Sequence, residues 1–136
     1  MLWVIFVTFA ECLFSAELIP VLCFIFGILL YKHEPKKING CYGYRTGRSM
    51  KNEDTWKFAN NLLGRLWLGG GAVLIVISAA AVLIVNAYWP DTLAAVSGLA
   101  VIMDLVFIVA SIIGVESALK KRFSNDGSRR EDGSRE

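Results

Sequence analysis

"LWLGGGAVLIVISAAAVLIVNAY", residues Leu66–Tyr88, runs for 23 residues without one charged side chain. A helix needs about 20 predominantly apolar residues to cross the hydrocarbon core of a bilayer. Outward from this stretch the pattern repeats. Between Leu66 and Val115 the only charged residues are Asp91 and Asp104, and between Met1 and Tyr31 only Glu11 and Glu17. Of the 136 residues, 55% are hydrophobic and 19% charged, and the mean hydropathy is +0.52. A soluble domain would spread its charges along the chain, and here they are segregated. The sequence therefore predicts an all-α membrane protein with three transmembrane helices, at about 2–31, 66–88 and 92–115. Residues 32–65 supply a cytosolic loop and an amphipathic helix between spans one and two. Together residues 1–123 make a single three-span membrane domain, and 124–136 are expected to be a disordered cytosolic tail.

The basic residues set the expected orientation. Eight Lys and Arg fall between Lys32 and Arg65, and the other six between Lys120 and Arg135. Such residues stay on the cytoplasmic side, so the N-terminus is expected outside and the loop and C-terminus cytoplasmic. The start lacks the basic region of a secretory signal peptide, and its apolar run is longer than one. A net charge of +2 is too small to indicate direct nucleic-acid binding. The basic clusters suit anionic lipid headgroups instead. Cys12 and Cys23 are eleven residues apart, about 16 Å along a helix, too far to bridge. Cys41 is expected cytosolic and reduced. His33 is the only histidine, and no spacing of metal ligands accompanies it.

Proline at position 20 predicts a kink in span one, because it frees the carbonyl of Ala16. After the span, Asn39-Gly40 signals a tight turn, and Gly43 and Gly47 permit positive φ. Ile38, Tyr42 and Tyr44 are spaced to pack within a compact loop. Ser49 is the expected N-cap of a helix starting at Met50, with Glu53 and Asp54 in its early turns. Phe58, Leu62, Leu66, Ala59, Leu63, Trp56 and Trp67 then share about half of the helical wheel, with Lys57, Asn61, Asp54 and Arg65 opposite. Gly69-Gly70-Gly71 marks a bend or a close helix contact, and Trp89-Pro90-Asp91 an outer turn. Ala94 with Gly98, and Gly114 with Ala118, are small-residue pairs that permit close helix packing.

One set of residues carries more than hydropathy. Asn39, Gly43-Tyr44-Arg45-Thr46, Ser49, Asn52, Trp56 and Ala59-Asn60 resemble the core motif of the SdpI family of bacterial multi-pass membrane proteins. The resemblance covers about residues 35–65 closely and the three-span layout more loosely. It implies immunity to a toxin peptide that acts at the membrane, and for one member the holding of a transcriptional repressor at the membrane.

On their own terms, Arg45, Thr46, Arg48 and Ser49 precede a helix whose free N–H groups form an anion site. A guanidinium can grip a phosphate or carboxylate with two parallel hydrogen bonds. Asn39, Asn52, Trp56 and Asn60 complete this candidate ligand site. Alternatively, Arg45 pairs with Glu53, Asp54 or loop carbonyls and fixes the fold. A second candidate is the intramembrane acid pair of Glu17 and Asp104, expected at similar depth with no Lys, Arg or His in any span to neutralise them. The pair could share a proton, bind a cation, or be reached by Arg45. In the structural reading, Asp104 is protonated and bonded to a side chain such as Ser78.

Enzyme chemistry is not expected. No Ser or Cys stands with a His base, and no glycine loop carries a phosphate-binding lysine. No cofactor or metal is expected either. The leading reading is protection against a toxin peptide, by binding the peptide or its lipid target. A small proton- or cation-coupled transporter using Glu17 and Asp104 is the alternative, and a scaffold recruiting a repressor a third. The expected partners are membrane lipids, a toxin peptide or cytosolic regulator, and further copies of the chain as a homo-oligomer.

Overall fold

The computed structural model describes residues 2–130, with side chains from Thr8 onward. Three long helices follow one another: α1 (Leu2–Lys32), α2 (Glu53–Tyr88) and α3 (Leu93–Arg122), the last two joined by a short 3-10 turn, Pro90–Thr92. All three are long and apolar enough to cross a membrane. Polarity is inverted relative to a soluble bundle. Val76, Ile102 and Val106 point outward, whereas Ser78, Ser97, Ser111 and Asp104 are buried. An outer surface so rich in large apolar side chains requires an apolar solvent.

Glycine sets the distance between α1 and α2. A Cβ on Gly64 would stand 2.9 Å from the backbone nitrogen of Tyr31, and one on Gly71 would stand 2.8 Å from that of Phe24. A Cβ on Gly27 would run into the backbone at Leu68. Small residues thus bring the two backbones together, the arrangement that favours helix association in lipid. By contrast, nothing lies near Gly98 or Gly114, so the small-residue pairs expected on span three do not mediate packing here. The Gly69–Gly71 run does not break α2. Of its three members, Gly71 meets α1 and Gly70 meets the Phe107 ring, while Gly69 faces open space.

Two further expectations are corrected at the start of α2. The helix begins at Glu53 rather than Met50, and its N-cap is Asn52 rather than Ser49. Asn52 Oδ1 accepts from the Thr55 amide at 2.9 Å, and Thr55 Oγ1 accepts from the Asn52 amide at 3.1 Å. This reciprocal box satisfies two amide groups together. Residues 53–65 form the first turns of one continuous α2, whose face of Trp56, Ala59, Asn60 and Leu63 is buried.

Apolar packing gathers at the two ends of the bundle. At the loop end, Leu30, Tyr44, Ala59, Leu63, Val115, Leu119 and Phe123 form one cluster, and at the other Cys12, Ala16, Val82 and Leu93 form a second. After α3 the chain folds back. Ser124 N donates to Ser128 O, Arg130 N donates to Arg122 O, and Asn52 Nδ2 donates to Gly127 O at 2.7 Å. Residues 124–130 therefore form a turn against the cap of α2, where composition predicted disorder. Side-chain and backbone partners supply the order that hydrophobicity does not. The expectation of disorder for 131–136 lies outside the described residues.

Candidate functional site

The loop between α1 and α2 is built around Gly43, Tyr44 and Asn60. Gly43 has φ +123, and a Cβ there would stand 2.8 Å from Asn60 Oδ1 and 2.9 Å from the Trp56 ring. Glycine is required on both counts. Its neighbour Tyr44 donates its amide to Asn60 Oδ1 at 2.6 Å, while Asn60 Nδ2 donates to Trp56 O. The fully buried Trp56 donates its indole N–H to Pro35 O at 2.7 Å. Ser49 Oγ donates to Tyr44 O at 2.7 Å and accepts from the Thr46 amide, and Thr46 Oγ1 accepts from the Ser49 amide. Asn39 Oδ1 accepts from the Cys41 and Tyr42 amides, so the turn expected at Asn39-Gly40 is closed by the Asn39 side chain. Of the three loop residues expected to pack, Tyr44 is buried, whereas Ile38 and Tyr42 are exposed.

Most polar groups of the motif are thus engaged within the fold. Asn39, Thr46, Ser49, Asn52, Trp56 and Asn60 each hold a turn, a cap or the loop against α2. Arg45 and Arg48 differ. Arg48 Nε lies 3.7 Å from Glu116 Oε2, and Arg48 Nη1 is 3.4 Å from Asn125 Oδ1. Arg45 is exposed, and its Nη1 donates to Gly40 O at 3.0 Å. One loop carbonyl uses one of five guanidinium N–H groups, leaving most of the fork available.

Glu116 was not anticipated as part of this region, yet it joins the loop to α3. Tyr44 Oη donates to Glu116 Oε1 at 3.1 Å and approaches Ile112 O at 3.4 Å. Burial, and then the Glu116 charge, hold the Tyr44 phenol well above its ordinary range. In the C-terminal turn, hydrogen bonds from Ser128 pull the Asp126 carboxyl below its usual range.

Beside this network lies a groove. It has a volume of about 690 Å³, and Ile19, Leu22 and Phe26 of α1 face Ile108 and Ile112 of α3 across it. Gly43, Tyr44, Arg45 and Thr46 close one end. The volume is that of a small-ligand site. The groove exists because α1 packs principally on α2 and only sparingly on α3.

The acid pair also comes together, with Ser78 from α2. Glu17 Oε1 is 2.6 Å from Ser78 Oγ. Asp104, 1% exposed, lies close enough to interact electrostatically with both Glu17 and Cys23. Ser78 therefore partners Glu17, not Asp104. Arg45 stays in the loop and does not reach the pair. Among the described residues no cluster of His, Cys, Asp and Glu suits a metal ion.

The profile of the SdpI/YfhL protein family matches residues 36–115, the loop, α2 and most of α3. The chain belongs to this family. Over 53 residues it is 43% identical to the uncharacterized protein YfhL of Bacillus subtilis (strain 168), covering 39% of this chain and 48% of that protein. The match thus spans about half the length of this relative. No solved structure matches. Within the family match stand the loop network, Arg45 and Asp104, while Glu17 precedes it.

Proposed function

We infer that this chain is a membrane-embedded binding protein that protects the bacterium carrying it, by holding a membrane-acting toxin peptide or the lipid such a peptide acts on. One observation carries the reading. The apolar groove between α1 and α3 ends at an exposed guanidinium whose backbone is fixed but whose fork is largely free. That combination suits an amphiphile with an apolar body and an anionic end. A phosphate or a peptide C-terminal carboxylate would take the two parallel hydrogen bonds of Arg45, while the body lies against Leu22, Phe26 and Ile112. Family membership and the three long apolar helices support the membrane setting. The Lys and Arg distribution supports a position for Arg45 at the cytoplasmic leaflet.

The test is survival. The chain is expressed in a sensitive bacterium, which is challenged with culture supernatant of the strain carrying the gene. Wild type is expected to protect. Arg45→Ala and Arg45→Lys should both protect poorly at equal membrane levels, since lysine lacks the planar fork. Arg48→Lys should be mild, because a cation still faces Glu116. Full protection by well-inserted Arg45→Ala would overturn the reading.

A further inference from the structure

The middle of the bundle holds a polar group that the groove and loop do not use. Glu17 of α1, Ser78 of α2 and Asp104 of α3 converge between the two apolar clusters. Glu17 Oε2 and Asp104 Oδ2 are buried, and no described protein group hydrogen-bonds to either. Pro20 adds to the polarity, since it cannot donate the amide that the carbonyl of Ala16 would receive in a regular helix. Ionised carboxylates so placed are costly without a cation beside them. The ionisable groups at this level are Glu17 and Cys23 on α1 and Asp104 on α3, with Ser78 the polar contribution of α2. None supplies a positive charge.

Hydrogen counting at Ser78 bears on where a proton resides. Its Oγ lies 2.6 Å from Glu17 Oε1 and 2.7 Å from Leu74 O. A hydroxyl has one hydrogen to donate, and neither a carboxylate oxygen nor a carbonyl oxygen can return one. Each short contact has a hydrogen of its own when the hydroxyl donates to Leu74 O and Glu17 donates to Ser78 Oγ. An ionised Glu17 would leave two acceptors competing for one hydrogen.

We propose that Glu17, Ser78 and Asp104 form a proton-binding site inside the membrane, in which Glu17 carries the proton and Ser78 holds it. Glu17 Oε2 and Asp104 Oδ2 are the buried acceptors left without a described donor. Cys23 interacts with Asp104 and also lines the groove, so the site adjoins the groove's inner end. The assignment stands on hydrogen-bond geometry and does not depend on the toxin-protection reading.

Infrared difference spectroscopy on the full chain in lipid nanodiscs tests it. At neutral pH the wild type is expected to show the carbonyl stretch of an un-ionised carboxylic acid. Glu17→Gln should remove the part of that band contributed by the acid bonded to Ser78. Ser78→Ala, which keeps both carboxyls, should shift it to higher frequency because the hydrogen bond to the hydroxyl is lost. Asp104→Asn should leave it present. Sodium or potassium chloride should leave it unchanged. Absence of the band in folded wild type, an unchanged band in Glu17→Gln, or its erasure by either salt in favour of a bound cation would each overturn the proposal.

Discussion

The loop end and the middle of this bundle use polar groups in opposite ways. At the loop end, Asn60, Ser49, Thr55 and Asn52 each make two or more hydrogen bonds, and the buried Trp56 indole has its acceptor. In the middle, two buried carboxyl oxygens have none, and α1 and α3 stand apart along an apolar groove. A buried polar network stabilises a fold only when its members are satisfied. The loop is therefore a hydrogen-bonded platform, and under the proposed function ligand capture falls to the less satisfied region beside it. The motif's polar residues are chiefly the platform's fastenings, and Arg45 is the group it presents.

Mutations at the fastenings should produce the largest effects. Trp56 is fully buried, contacts Gly43 and ties α2 to Pro35. Replacing such a side chain with alanine costs about 3–5 kcal/mol, so Trp56→Ala should lower denaturant stability in detergent micelles by that amount. A change within error would mean that the platform is not rigid. Next is Gly43→Ala, which imposes an unfavourable φ and a clash with Asn60 and Trp56. Backbone strain of this kind costs about 1–3 kcal/mol. Gly47→Ala, in open space, should remain within about 0.5 kcal/mol of wild type. Equal effects at both glycines would contradict the described turn.

A smaller effect should appear at alkaline pH. The folded state raises the Tyr44 pKa, so between the unfolded value of about 10 and the higher folded one, the unfolded chain releases the proton first. The unfolded state then binds fewer protons and stability falls as pH rises. Below that window the contribution is fully present. Tyr44→Phe should flatten the alkaline limb of a thermal-stability profile, and an unchanged limb would show that the Tyr44–Glu116 contact is not formed.

The sequence revealed the three helices because charge segregation and span length need no tertiary information. It also indicated a turn at Asn39-Gly40, a similar depth for Glu17 and Asp104, and a place for Trp56 on the apolar face of its helix. Other features were out of reach for physical reasons. Ser49 and Asn52 are both good caps, and the choice of Asn52 depends on Thr55 completing the box and on Gly127 receiving the second amide hydrogen. The turn at 124–130 needs partners in α2 that are distant in sequence. Gly64 and Gly71 lie seven residues apart on one face, a signal that was present, but their contact with Gly27's helix depends on the register of α1. The groove is a consequence of that same choice, since close α1–α2 contact leaves α3 at a distance.

The smallest effect on stability should come at Arg45, whose replacement by alanine should cost less than about 0.5 kcal/mol and yet, under the proposed function, remove the groove's grip on an anion. The most direct measurement uses nanodiscs containing phosphatidylglycerol with a photoactivatable acyl chain, followed by mapping of the crosslinks. Crosslinks are expected to concentrate at Leu22, Phe26 and Ile112, to exceed those from an equivalent phosphatidylcholine, and to fall in folded Arg45→Ala protein. Crosslinks spread evenly over outward residues such as Val76, Ile102 and Val106, unchanged by Arg45→Ala, would contradict a binding groove that ends at this guanidinium.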